Sequence, residues 1–478
     1  MKKNIKTLLA VLGLIAGIYN NVIAQTSTSA YNLKACIDAA QTNNIPVKQN
    51  ELLTEQAAIN YNTAKFSRLP NVSAGVGYGI NNGRSIDPFT NGYINQQLSS
   101  SNASLNASVP LFKGFQMQRN IEQTSLVYQA TKQEYQQEKD NLTLNVILAF
   151  LQVLNNEDVL DLTKKQAAVT QKQVERLDEL NKAGATAPAT LSDMQGQYAS
   201  DQIGIVNAAN ALELSKLALA QLMNIPYTKD MQLSREGIDM SVELYASTSD
   251  QIYAAATGKL AMVKAADLRV KAAAKSTQLA RGALYPTLSL EGQLSTNYSS
   301  ATRSSIVTGT ADVPTTDYVV VSGNNLPVIT KQTNYSSSKI GYFSQAKNNL
   351  GNYLGLNLQI PIFNGLQARN RIALAKVQEK NTNFIAENTK IALQQAIEQA
   401  YLNMSTSFNK YKLLDEQVKA FDESFRAAEI RFNLGALNSV DYLVVKNNLD
   451  RANVNFTIAR YEYLLRTKVL DFYQGNLK

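Results

Sequence analysis

The chain of 478 residues carries a formal net charge of +8, too mild and too dispersed to argue for nucleic-acid binding. It has no His and a single Cys. That removes the commonest metal ligand and general base, any Ser-His-Asp or HExxH site, and any intramolecular disulfide.

Lys2, Lys3 and Lys6 precede an apolar run from Leu8 to Ile18, which is about half the length that spans a bilayer. Val22-Ile23-Ala24 then offers a small residue before Gln25. Residues 1–24 read as an export signal, with an N-terminal anchor as the alternative. Gln25, not Cys, stands directly after the expected cleavage point, which argues against lipid attachment there. Cys36 shares helical spacing with Leu33, Ile37 and Ala40, the setting of a buried small apolar side chain. No later stretch has 18 uncharged apolar residues, so membrane insertion has to use strands closed into a barrel.

The rest of the chain is one pattern used twice. Val109-Pro110-Leu111-Phe112-Lys113-Gly114 returns as Ile360-Pro361-Ile362-Phe363-Asn364-Gly365, and Gly184-Ala185 returns as Gly435-Ala436, both at an offset of 251. Upstream, Leu69-Pro70 matches Tyr285-Pro286 and Val47-Lys48 matches Val263-Lys264 at 216. The two offsets agree if the second copy holds 35 extra residues between its prolines. Each copy predicts a helix of about 35 residues, two strands, one very long helix, a tight turn and a return helix. The first repeat takes 25–245, with a strand pair over 69–109, a long helix over 113–182, and a return helix over 187–223. The second takes 246–478, with a helix over 250–283, strands over 286–360, a long helix over 365–433, and a return helix over 437–473.

The long helices are predicted from what they lack. Phe115–Ala183 and Leu366–Leu434 are each 69 residues without Gly or Pro. At 1.5 Å per residue such a helix reaches about 100 Å. Alternate steps of four and three from Leu393 to Phe432 pick out twelve positions, eleven of them apolar, which is a heptad seam. Moved back by 251, the seam keeps eight apolar positions and gains Asn156, Thr163, Thr170 and Asn181. Those polar positions either set register or face water.

Asn71–Ile80, Ser99–Val109, Thr287–Leu294 and Leu354–Ile360 alternate small or polar with apolar residues, the weak signature of membrane barrel strands. Loops of roughly 81–98 and 299–347 join them. The second holds the extra length and is rich in Ser, Thr, Asn and Gly, so it reads as an exposed loop. Four strands cannot close a barrel in lipid. The chain is therefore expected to oligomerise; three copies supply 12 strands, and dimers or tetramers also satisfy the count.

This order of elements resembles the TolC-like outer-membrane efflux proteins. The resemblance rests on Val109–Gly114 and Ile360–Gly365, on Arg68-Leu69-Pro70 and Leu284-Tyr285-Pro286, on Leu222–Pro226 after the first helical hairpin, and on Leu434–Asp441 at the second turn. It implies a mainly α fold with a small β part: long antiparallel coiled-coil helices in two repeats, with four strands contributing to a trimeric 12-stranded barrel. It further implies a passive exit duct for efflux or type I secretion, catalysing nothing and needing no cofactor. The partners implied are a homotrimer, a periplasmic adaptor, an inner-membrane efflux pump or ABC transporter, and outer-membrane lipid, with no nucleic acid. Pro110, Gly114, Pro361 and Gly365 would mark strand-to-helix junctions, the prolines sitting at helix starts, where no N–H partner is lost. The turns Lys182–Pro188 and Asn433–Asn438 would form the periplasmic tip, with Gly184 and Gly435 as helix C-caps. Asp441, Phe432, Thr190 and Asp193 are the entrance candidates. Asp441 lies six residues after Gly435 and could form a three-fold acidic ring, or simply favour a helix N-terminus. The first copy has Thr190 at the matching position, and Val444 stands where a second acidic residue is usual. A periplasmic coiled-coil adaptor and a structural stalk are the other two readings; neither needs doubled membrane strands.

Overall fold

The computed structural model describes residues 30–86, 91–95, 97–236 and 240–476. The expected export signal lies outside them. The chain forms two compact units, each assembled from three separated stretches or two. One is all helix and its linkers, ending at Glu55 and taking up again over Ala130–Asp267 and from Ile385. The other, Gln56–Gln129 with Leu268–Phe384, holds every strand described. The units cut across both sequence repeats, because the long helices belong partly to each.

In the first repeat α1 (Leu33–Asn43) and α2 (Ile45–Phe66) precede the strands. The single helix expected here is broken at Asn44, whose backbone is extended. Asn44 Oδ1 accepts from Val47 N–H at 3.3 Å, and Pro46 occupies the first turn of α2, where its missing donor costs least. The second repeat breaks at the matching residue, Leu260, between α5 (Ser249–Lys259) and α6 (Ala261–Arg281).

The long helices α3 (Gln116–Lys182) and α8 (Gln367–Asn433) are each 67 residues. Their return helices are α4 (Pro188–Met223) and α9 (Ser439–Tyr473). The seam positions Leu142, Val146, Val153 and Leu177 are buried, as are their counterparts Leu393, Ile397, Met404 and Ala428. Two of the four polar positions of the first seam serve pairing: Asn156 Nδ2 donates to Ala211 O on α4 at 3.0 Å, and Thr170 donates to Asp201 on the same helix, while the Thr163 hydroxyl turns back to Val159 O of its own helix. Over part of its length α4 is apolar enough to cross a membrane, but Leu212, Lys216, Leu219 and Met223 are buried in the helical unit. Cys36 is wholly buried there, and burial pushes its thiol up to about 12.

The linkers of the helical unit are tied to α3 and α9. Tyr31 and Leu233 form a parallel bridge. Arg235 Nη2 meets Asp158 Oδ1 at 2.5 Å, and Tyr461 donates to Asp158 Oδ2 at 2.6 Å. Burial pushes the Asp158 carboxyl up, but the hydrogen bonds from Arg235 and Tyr461 and the arginine's charge outweigh it and hold the group below the usual Asp range.

Four strands make one antiparallel sheet in the order β1-β4-β5-β8: β1 (Asn71–Asn81), β4 (Leu98–Lys113), β5 (Thr287–Ser299) and β8 (Gly351–Gln359). Between β1 and β4 lies the small hairpin of β2 (Arg84–Ile86) and β3 (Tyr93–Asn95). The loop expected over 299–347 is largely ordered as β6 (Arg303–Val321) and β7 (Asn324–Lys339), a long hairpin followed by the short helix α7 (Tyr342–Asn348). Ser322 and Gly323 at its tip both have positive φ, which fits a two-residue turn. Gln345 of α7 staples the base: its side chain accepts from Ser299 N–H and donates to Ser299 O and Ile340 O, all within 2.9–3.0 Å. Composition hid this hairpin because its Ser and Thr side chains suit a strand exposed on both faces as well as a loop.

The junction prolines do not start helices. Pro110 lies inside β4, at a bulge between Pro110 and Phe112, and Pro361 follows the end of β8. A bulge or strand end tolerates a missing N–H. The turn into each long helix is made by two consecutive left-handed residues, Gly114-Phe115 and Leu366 after Gly365. A Cβ on Gly114 would stand 2.2 Å from the Gly282 carbonyl oxygen, whereas one on Gly365 meets nothing within 4 Å. Gly114→Ala should therefore cost about 2–4 kcal/mol, from left-handed strain plus overpacking, and Gly365→Ala only about 1–2 kcal/mol from strain. Unfolding midpoints of the two variants check this; equal losses would count against it.

Candidate functional site: the membrane sheet and the helical tip

The pairing register sorts the four strands into two faces. Leu105↔Leu294, Val109↔Leu290 and Leu290↔Leu356 put apolar side chains together, with Val72, Val76, Tyr78 and Ile80 of β1 on the same face. Val76 is 80% and Leu354 77% exposed, so this face has no cover within one copy. The other face carries Asn71, Ser73, Asn102, Asn106, Gln293 and Asn357. Glu291 lies among them, accepting from Ser289 Oγ at 3.3 Å, and Lys113 stands at the ladder's end opposite Thr287.

Aromatic clusters bound the apolar face at both ends. Phe112 pairs with Leu288 and packs edge-on against Phe115, centroids 5.2 Å apart; Phe115 meets Tyr285 at 6.4 Å. At the other end Tyr298, Tyr342 and Phe343 pack in series at 4.7 and 5.6 Å. From Leu288 to Tyr298 a strand advances about 33 Å, or roughly 25 Å normal to a membrane at ordinary barrel tilt. An apolar band of that height between two aromatic girdles is what a lipid bilayer selects.

The helical tip is held by backbone geometry that repeats at 251. Ala185 N–H donates to Leu180 O and Gly184 N–H to Asn181 O; Ala436 and Gly435 do the same to Arg431 O and Phe432 O. With φ of +70° and +73° at Gly184 and Gly435, both are Schellman-type ends. The return helices begin differently. Ala187 gives no side-chain cap and Pro188 occupies the first turn, so one orphan donor is absent. At the matching place Asn438 Oδ1 accepts from Asp441 N–H at 2.8 Å, and Asn438 Nδ2 donates to Asp441 Oδ2 at 2.8 Å.

The four entrance candidates separate here. Asp441 is exposed and engaged with Asn438. Asp193 is exposed and accepts from Ser439 Oγ at 2.8 Å, which joins the two hairpins. Thr190 is half-buried, its N–H on Ala187 O. Phe432 is no lining residue of the protomer: it is 7% exposed and stacks on buried Tyr442, centroids 4.4 Å apart, in a core with Leu177, Leu191 and Met194. Its place in the heptad seam was the better guide. Sequence reading missed Lys446, which is 2% exposed and meets Asp450 Oδ2 at 2.5 Å and Asp201 Oδ2 at 3.3 Å. Arg176 donates to Asn433 O at 2.9 Å, a further clasp between hairpins. Only the i,i+4 spacing of Lys446 and Asp450 was readable beforehand.

Residues 36–224 and 258–476 match the family described as outer membrane efflux protein, so the chain belongs to that family. It is 22% identical over 442 residues to the outer membrane protein TolC of Escherichia coli K12, covering 92% of this chain and 81% of that protein. Its fold is similar to the Campylobacter jejuni CmeC outer membrane channel, with TM-score 0.72 and 16% identity over 93% and 85% of the two chains. A Pseudomonas aeruginosa membrane protein is equally similar in fold, with TM-score 0.72 and 17% identity over 93% and 92%. The protein is thus an outer-membrane efflux duct with a helical periplasmic part, and it conducts rather than catalyses. The adaptor and stalk readings fall away.

Two outcomes follow for the helical unit. Lys446→Met leaves two carboxylates facing a buried space without their cation, and should lower stability by about 3–5 kcal/mol in chemical unfolding. A loss under 1 kcal/mol would show that water already shares the site. Asp158, whose carboxyl is held low in the folded state, contributes stability that is present above about pH 4 and lost as pH falls through its folded value. Asp158→Asn should flatten that acid limb of the stability curve; an unchanged slope would refute the assignment.

Proposed function

We propose that three copies close one 12-stranded barrel, the outer β1 edge of each sheet pairing with the β8 edge of the next, and that the duct runs from a periplasmic entrance at the helical tip. The observation that carries this is the sheet itself: an apolar face with two girdles, built on four strands whose edge strands are paired on one side only. Exposed apolar side chains along α8 (Leu374, Val377, Phe384, Leu402 and Leu413) supply a second surface for copies to share. In this reading the polar face with Glu291 lines the lumen. A periplasmic adaptor and an inner-membrane pump or ABC transporter dock at the tip and supply the energy; the duct itself is passive.

Asp441 is the residue proposed for a three-fold acidic ring at the entrance. The test is single-channel recording of the purified mature protein. Wild type should run as a trimer in mild detergent and conduct with cation preference, and Asp441→Ala should shift the reversal potential in a salt gradient toward anions. Stability should fall by no more than about 1 kcal/mol, since Asn438 still accepts from the backbone N–H. A monomer defeats the barrel reading; an unchanged reversal potential leaves Asp441 as a helix-end residue only.

A further inference from the structure

We infer that the periplasmic rim of the membrane sheet binds the headgroups of anionic phospholipids, through arginines set at the strand ends. The inference rests on the barrel reading and adds a lipid class and the residues that select it. The lower aromatic girdle, with Phe115 and Tyr285, marks the level of the membrane–water interface. Arg68 lies three residues before β1 and Arg281 six before β5; Arg369 and Arg371 follow β8 at the start of α8. All four are exposed. Among the described residues none of them makes an ion pair, and no carboxylate stands beside them in the chain. Residues 56–70, 107–121, 268–286 and 358–378 contain no Asp or Glu. Of the carboxylates that border these windows, Glu122 is taken by Arg119 at 2.8 Å and Lys275 at 2.7 Å, which holds its carboxyl below the usual range; Glu379 accepts from Thr277 at 2.6 Å and Asp267 meets Lys390 at 2.9 Å.

An unneutralised row of guanidiniums at interface depth costs self-repulsion unless anions sit against it. Planar guanidinium forks match phosphate oxygens, and a headgroup is the phosphate that the girdle brings to that depth. Free phosphate would have no reason to prefer this level over any other basic patch. Lys113 is a different case, since its register places it on the polar face opposite Thr287.

The test uses the mature trimer in an uncharged detergent, titrated with dioleoylphosphatidylglycerol or dioleoylphosphatidylcholine, with retained lipid counted by native mass spectrometry. The anionic lipid should be retained preferentially. Each arginine is worth roughly fivefold at a lipid surface, so Arg68→Gln/Arg281→Gln/Arg369→Gln should bind it about 100-fold more weakly. Lys165→Gln/Lys182→Gln/Lys419→Gln, an equal charge loss on exposed lysines of the helices, should bind as wild type. Equal retention of the two lipids, full retention by the arginine variant, or equal loss in the lysine control would overturn the inference. So would stripping of the anionic lipid by excess inorganic phosphate. If the triple variant fails to assemble, Arg281→Gln alone carries the same comparison with a fivefold loss. A protein that never forms a trimer, or inserts into no vesicle, refutes the barrel reading instead.

Discussion

Everything in the β unit follows from one constraint: in hydrocarbon, a strand edge cannot leave its N–H and C=O groups unpaired. A four-stranded sheet with β1 and β8 at its ends is not a viable object in a membrane by itself. Its apolar face needs lipid, while its edges forbid lipid. The closure among copies proposed above would remove the conflict, and the helices would then assemble with the same symmetry. In that proposal the exposed apolar side chains on α8 would be contacts between copies rather than defects of a lone chain.

The helical unit shows how a duplicated sequence keeps geometry while changing chemistry. Left-handed residues recur at 114 and 365, 115 and 366, 184 and 435, and 224 and 475, so the backbone corners of the two copies match to the residue. The side chains at those corners do not. One return helix starts with proline, the other with an Asn–Asp pair; one seam buries Thr170 on Asp201, the other is almost wholly apolar. Part of the added polarity of the first copy joins α3 to α4, through Asn156 and Thr170, and Asp201 extends the link to Lys446 of the second hairpin.

Much of this could be read before any coordinates. Breaker-free runs, heptad spacing and the doubled motif located both long helices within a few residues of their observed ends, because those signals are periodic and long. The strand pairs were legible from alternation. What failed were features decided by a single local contact or by tertiary packing. The break at Asn44 is local, and its counterpart at Leu260 has the same extended backbone without a capping side chain. The β6–β7 hairpin is an exposed ladder rich in Ser and Thr whose base is tied by Gln345. Pro110 sits in a bulge that composition cannot distinguish from a helix start. Phe432 and Lys446 are core residues of the tip, and only packing across hairpins shows it.

The equal length of α3 and α8, 67 residues each, makes the pair a ruler. The two offsets in the chain show where length has been free to change: the 35 extra residues fall between β5 and β8, where a hairpin can grow, and none falls in a long helix or its return helix. One residue added to a helix advances it 1.5 Å and turns its seam by about 100°. Added to a single copy, it would leave one hairpin of the tip hanging below its sibling with its Schellman corner out of step. Only paired insertions of whole heptads would lengthen the periplasmic reach and keep every seam aligned. The distance this duct can bridge is therefore quantised, in steps of about 10 Å, by the same periodicity that holds it together.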